Sequence, residues 1–392
     1  MSPPPSSLPE ETHCRPKSSV MLARVAGSLY WMSRYLERAE NQARLIDVNL
    51  NLLLDFGHLS SSQLKDHWLP IVRSSGDEEL FARLYQNADN RSVTEFMSLC
   101  RDNPNSLISC ISAARENARQ VRDQISSEMW EVLNEAHHFI QRSRPQDLWH
   151  QGASAFYERI KRYSHLFQGI TVSTFSRNEG FEFIQFGKYL ERADQITRLL
   201  DMKYHILLPT AAEVGGALDS AQWHAILRSA SALEAYRRAY VSEVHYLKVI
   251  EFLLFDPHFP RGLRFCCQEM AHFIGLIEQH HCPPEGHSAS RRFAGFCARL
   301  EREHVRAVVQ RGLHEYLDEA QLEIAEAGNL LYQNYMYHPA VDLNAEIRFH
   351  QQQEQQQQSE PQQQSEPLQR QTADSTVTEA TSKALDPDRN PR

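Results

Sequence analysis

Glycine is scarce in this chain, 15 in 392 residues, and so few glycines fit the turn-rich connections of β architecture poorly. Strand-type alternation of apolar and polar residues is also missing. There is no long apolar run: the best, Val249 to Phe255, is far too short to cross a bilayer. Residues 1–20 are rich in proline and serine and hold no apolar stretch for an export signal, so neither export nor membrane insertion is expected. The seven cysteines (Cys14, Cys100, Cys110, Cys266, Cys267, Cys282, Cys297) are odd in number, form no C-x-x-C, and include an adjacent pair that could hardly close a normal bridge. That usage predicts a reduced, cytosolic protein. The net charge of −9 falls partly on the tails, and arginines are scattered among Asp and Glu with no basic stripe, so nucleic acid is not an expected partner.

Catalytic signatures are missing too. There is no G-x-x-x-x-G-K-[ST], G-x-G-x-x-G, H-E-x-x-H or G-x-S-x-G. Ser62 to Lys65 fits S-x-x-K but lies in a polar stretch and reads as coincidence. An independent site for ATP binding or hydrolysis is therefore unsupported, and no cofactor is expected.

What is present is helical rhythm in an ordinary globular composition, 41% hydrophobic and 23% charged, in a chain long enough for two domains or a fused pair sharing one core. Val25, Leu29, Met32, Leu36, Ala39, Ala43, Ile46, Leu50 and Leu53 recur at three- and four-residue steps, predicting a long first helix. Leu107, Ile111, Ala114, Ala118, Val121, Ile125, Met129 and Val132 repeat the pattern after Asn103-Pro104-Asn105 and predict a second long helix. Breaks are expected near Gly76, Pro145, Pro257 to Pro260, and Pro283 to Gly286. The fold class is thus all-α, a helical bundle. The tail from about Gln351, opening on glutamine tracts, cannot bury enough apolar area to offset chain entropy and is expected to be disordered.

The strongest signal is internal duplication. YLERAENQARLID at 35–47 aligns without gaps on YLERADQITRLLD at 189–201, eight of thirteen positions identical at an offset of 154. Trp68, Ile71, Arg73 and Ser74 match Trp223, Ile226, Arg228 and Ser229 at offset 155; Val93, Glu95, Phe96, Pro104 and Leu107 match Val249, Glu251, Phe252, Pro260 and Leu263 at offset 156. The expected organisation is an N-terminal extension (1–20), a first helical unit (21–175), a second (176–345) and a tail (346–392). Two such units most often pack about a pseudo-twofold axis that sets equivalent helices face to face.

Glu37 and Arg38 point away from the seam of Leu36, Ala39, Ala43 and Ile46, and nothing in that seam requires them. Glu40, Arg44 and Asp47 share a face, repeated as Asp194, Arg198 and Asp201. Two readings stand. In one, these charges are an ion-pair ladder or a buried network locking the units together. In the other, Glu37, Arg38, Glu191 and Arg192 converge in a cleft whose arginines hold a carboxylate or phosphate bidentately. Arg115, Glu116, Asn117 and Arg119 form a further polar candidate, of which a solvated face is the plain alternative. Three Glu-x-x-His pairs (Glu135/His138, Glu278/His281, Glu301/His304) have di-iron spacing, but none falls at equivalent positions in the two units, and His280, His281, Cys282 and His287 lack zinc-site spacing; no metal is expected.

The segments MLARVAGSLYWMSRYLERAENQARLID (21–47), ARENARQVRDQISSEMWEVLN (114–134) and LFQGITVSTFSRNEGFEFIQFGKYLERADQITRLLD (166–201) resemble the bacterial alpha-E domain family, all-helical domains named for a Glu-Arg motif. The resemblance covers about Met21 to Ala340 and maps the motif onto Glu37-Arg38 and Glu191-Arg192. It implies a part in ATP-dependent amide or peptide bond formation, as accessory to a circularly permuted ATP-grasp protein, with a transglutaminase-like peptidase as a second associate. It also implies a start near Met21 and an accessory or co-catalytic role more than an independent activity; a stand-alone enzyme or binder using the Glu/Arg cleft for a carboxylate or amino-acid-like ligand, and a purely structural scaffold, are the alternatives.

Overall fold

The computed structural model describes residues 21–55, 61–150, 152–205, 216–241, 243–281, 283 and 287–337; the expected N-terminal extension and glutamine-rich tail lie outside them, as does Cys282. The described residues belong to one compact unit. They form sixteen α-helices and no strand: α1 (Ala23–Asp55), α2 (Ser61–Ser74), α3 (Glu78–Leu84), α4 (Asn90–Ser98), α5 (Leu107–Gln120), α6 (Ser127–Arg142), α7 (Pro145–His150), α8 (Ala153–Thr174), α9 (Glu179–His205), α10 (Ala217–Ser229), α11 (Leu233–Ala239), α12 (Tyr246–Phe255), α13 (Leu263–His281), α14 (Ala289–Arg302), α15 (Val305–Arg311) and α16 (Leu313–Leu331), closed by a π-helical turn, Tyr332–Met336. The protein is all-α. None of the described helices is long and apolar enough to cross a membrane.

The first apolar stripe is one continuous helix, α1, 33 residues and hence about 50 Å long. Leu29, Met32, Leu36, Ala39, Ala43, Ile46, Leu50 and Leu53 are all buried in it. The second stripe is not one helix. It breaks after Gln120, and the chain turns through Val121 to Ser126 before α6 begins, with the Ser126 hydroxyl accepting from the Met129 amide. Val121 and Ile125 stay buried through the turn, so the apolar rhythm carries on where the helix does not.

The helices α1 and α9 form the centre. Each packs on the other, α1 is flanked by α5 and α8, and α9 by α13 and α16. They run in the same direction, since contacts advance together along both: the Met21 amide donates to Glu179, Tyr30 stacks on Phe186, and Arg38 reaches Glu191. At Gly187 the approach is close enough that a Cβ would sit 2.7 Å from the Tyr30 carbonyl oxygen. A helix wrapped on several sides has no solvent face for its charges. Glu37, Glu40 and Arg44 of α1, and Glu191 of α9, are therefore buried with the apolar residues.

Candidate functional site

The Glu-Arg motifs lie where α1 faces α9. Both carboxylates are fully buried, and each is gripped from the opposite helix. Arg38 donates to Glu191 through Nε (2.7 Å) and Nη2 (3.0 Å), and Arg192 donates to Glu37 through Nε (2.7 Å) and Nη2 (3.2 Å). These are the planar two-point pairs that guanidinium and carboxylate form best. The pair is off the apolar seam, as its spacing indicates, yet helix packing does use it: it constitutes a second, polar seam.

Each glutamate also has a second arginine. Arg34 Nε donates to Glu191 Oε2 at 2.9 Å while its Nη1 donates to the Tyr30 hydroxyl. Arg261, in the turn between α12 and α13, donates to Glu37 at 3.0 Å, to Asn41 Oδ1 at 2.8 Å and to Glu40 at 2.5 Å. Arg44 is paired with Glu40. Asp47 faces α8, accepting from Ser154 and Lys161, so the expected Glu40–Arg44–Asp47 ladder parts company at its third rung. Its counterpart behaves alike: Arg198 pairs with Asp194, and Asp201 with His314 of α16. On the other flank, Arg38 Nη1 donates to Asn105, whose amide donates to buried Asp77.

Burial by itself would raise the Glu37 and Glu191 carboxyls. The guanidiniums outweigh it, Arg192 and Arg261 on the first, Arg38 and Arg34 on the second, and hold both down at about 2. Burial, helped by repulsion from Arg192, pushes the Lys188 amine of α9 down to about 7.

Two cavities open beside this network. One, about 360 Å³, lies against α1, α9 and α16 and carries Trp31, Tyr332 and Arg34 on its walls; the other, about 210 Å³, reaches Ser74, Gln42 and Asn105. Arg38, Asp194 and Arg198 line both, a charged wall that the two share, and with Trp31 and Tyr332 they make a trough of the larger one. Its donors are arginines already oriented by carboxylates, and aromatic rings stand at one end. Such a trough suits a planar or carboxylate-bearing group better than an alkyl chain.

Six of the predicted site residues, Glu37, Arg38, Arg44, Glu191, Arg192 and Arg198, thus gather on α1 and α9. Glu116 and Arg119 do not join them: they pair with each other on the surface of α5, three residues apart, while Arg115 leans on Trp130. Arg34, Arg261, Lys188 and Asn105 complete the network without having been singled out from the sequence. A signal existed. Arg34 and Lys188 are cations at offset 154, and Asn105 and Arg261 are the polar residues directly after the matched prolines Pro104 and Pro260.

The Glu-x-x-His pairs go separate ways. Glu278 accepts from Ser288 and the Ser290 amide while His281 bonds Glu179, and Glu301 accepts from Gln268. Glu135 and His138 line a broad groove of about 670 Å³ on α6, α7 and α8, beside Arg142 and Arg159.

Fold and site together define an all-helical protein built round an interhelical Glu-Arg network. Residues 21–336 match the Alpha-E family, described as a predicted alpha-helical domain with a conserved ER motif, and the chain belongs to that family. It is similar to uncharacterized proteins of Mycobacterium bovis and of Mycobacterium tuberculosis, each 28% identical over 261 residues, covering 62% of this chain and 29% of theirs. The chain therefore spans less than a third of the length of those relatives. No solved structure matches it.

Proposed function

We propose that this protein is a helical accessory subunit of an ATP-grasp amidoligase of the circularly permuted kind, acting in ATP-dependent peptide or amide bond formation without a catalytic centre of its own. The observation that carries the second half of this reading is the state of the two motif glutamates. Each is fully buried, gripped by two guanidiniums and held near 2, so neither is available to take up a proton at neutral pH. The trough beside them supports a binding role, with Arg38 and Arg198 receiving a carboxylate or amino-acid-like group that the partner enzyme activates. Relatives that carry the matching region within chains more than three times as long are consistent with a domain that works alongside other modules. A transglutaminase-like peptidase is the second partner of this reading, and the cytosol its compartment, where the described cysteines remain free thiols.

The reading also takes the chain as an internal duplication about a pseudo-twofold axis running along α1 and α9. The reciprocal bonds Arg38 to Glu191 and Arg192 to Glu37 support it, as does the repeated order of long and short helices in α1–α8 and α9–α16. A stand-alone binder of carboxylates is the second reading, favoured by the trough alone.

Co-purification from native lysate separates the two. Recovery of an ATP-grasp protein, with a ligation rate raised by added Alpha-E protein and lowered again by Arg198→Ala, is the expected result. No ATP-grasp partner and an unchanged rate would sink the subunit reading, and carboxylate binding that persists without a partner would leave the stand-alone binder.

A further inference from the structure

The Glu-Arg network is not balanced. Around Glu37 the mutually bonded groups are Arg192, Arg261 and Arg44 against Glu37 and Glu40, three guanidiniums to two carboxylates. On the other side, Glu191 with Asp77 answers Arg34 and Arg38 through Asn105. The surplus positive charge therefore sits on the Arg261 side, in low-dielectric surroundings where an unbalanced charge is expensive.

On that side, α1, α9, α10 and the turn carrying Arg261 line a further small pocket of about 30 Å³, which borders the 210 Å³ cavity at Ser74 and Arg198 and carries Arg192, Arg261, Asn41 and Ser229 on its walls. Two of these side chains present hydrogen atoms with nothing to receive them. Ser229 is buried, at 6% exposure, and its Oγ has no partner; Asn41 spends its oxygen on Arg261 and leaves a buried Nδ2 unpartnered. Buried Arg44 likewise keeps an unpartnered Nη1 nearby in the same network. Orphan donors beside surplus guanidiniums call for a guest that accepts hydrogen bonds and carries negative charge. The volume admits a small particle, since room for one water takes about 10–15 Å³ of such space. Burial and repulsion from Arg192 push the Arg261 guanidinium down to about 10, in keeping with a site short of negative charge.

We propose that this pocket is a site for one small monovalent anion of chloride size, held by the buried Asn41 Nδ2–H and Ser229 Oγ–H against the guanidiniums of Arg192 and Arg261. The anion completes the charge balance of the α1–α9 seam and so stabilises the fold, whatever partner or ligand the trough receives.

The test uses the full chain and no other protein. Thermal unfolding is followed at constant ionic strength while chloride replaces gluconate, a much larger anion of more diffuse charge, and crystals grown in bromide are examined for anomalous density. The expected result is a Tm that climbs by several degrees with chloride and saturates, with bromide in the pocket. Ser229→Asp places a carboxylate where the anion sits and should abolish the chloride response while keeping Tm high in gluconate. Should that variant fail to fold, Ser229→Ala should fold and respond to chloride more weakly. Equal Tm values in the two salts, water alone in the pocket, or an undiminished chloride response in the folded Ser229 variants would overturn the proposal.

Discussion

Glu37 and Glu191 hold positions at which a single oxygen-to-nitrogen change should be felt throughout the molecule. Glu37→Gln or Glu191→Gln leaves two guanidiniums buried without their counter-charge, and loss of one partner of a buried pair costs about 3–5 kcal/mol. Urea unfolding should show that loss for each. The exposed pair on α5 provides the contrast: Glu116→Ala should change stability by less than about 1 kcal/mol in the same assay. Lys188 acts in the opposite sense. Its amine is held at about 7 in the fold against about 10.4 in an open chain, so below pH 7 the fold bears the full cost of keeping it charged, and above pH 7 it escapes part of that cost by staying neutral. Lys188→Met should accordingly raise Tm, and raise it more at pH 6 than at pH 9. The Glu-Arg pair was legible because the sequence carries it twice, in matching segments at 35–47 and 189–201. Arg261 was marked only by its place after the matched Pro260, because an arginine in a Pro-flanked turn carries no periodic signal, and only the fold brings it to Glu37, 224 residues away.

Among the elements, α1 and α9 are set apart by how closely they meet. Gly187→Ala would drive a methyl against the Tyr30 carbonyl, backbone that cannot swing aside, and should cost about 1–3 kcal/mol in denaturant unfolding. Gly328→Ala meets the tip of Leu190, which can rotate, and should cost less. The length of α1 could be read from its stripe alone, and so could the stops near Gly76 and Pro145, where a positive φ and a helix-opening proline enforce them. The split between α5 and α6 could not. A turn whose side chains stay buried preserves the spacing of apolar residues, and only Ser126, one serine among many, marks the cap. The burial of Glu37 and Glu40 stood only as one alternative, a buried network, since one helix's pattern reports its apolar seam and not a neighbour approaching its polar side.

For the molecule as a whole, acid should act in two steps. His67 is buried and held neutral down to about 4, so as pH falls below about 6.5 the unfolded chain takes up a proton that the fold refuses, and stability declines between those values. Glu37 and Glu191 follow. Their folded carboxyls lie near 2, below the unfolded value of about 4.3, so the stability they contribute is complete above that value and drains away as pH falls towards 2. A Tm profile from pH 7 to 2 should bend in both windows, and His67→Gln should lessen the upper bend alone, the rest of it coming from His137 and His165, whose imidazoles burial also holds down.

The crossed grip of the two motifs also has a history in time. Glu37 leaves the ribosome long before Arg192 and longer still before Arg261, the groups that neutralise it. Until then the nascent first half carries a carboxylate that has to stay hydrated, and α1 has no finished surface to settle on. Synthesis of residues 21–175 alone should give a chain that a protease digests readily, and supplying residues 176–337 in the same cell should protect it. That protection would make each half the other's folding template, and the native state a late event of translation.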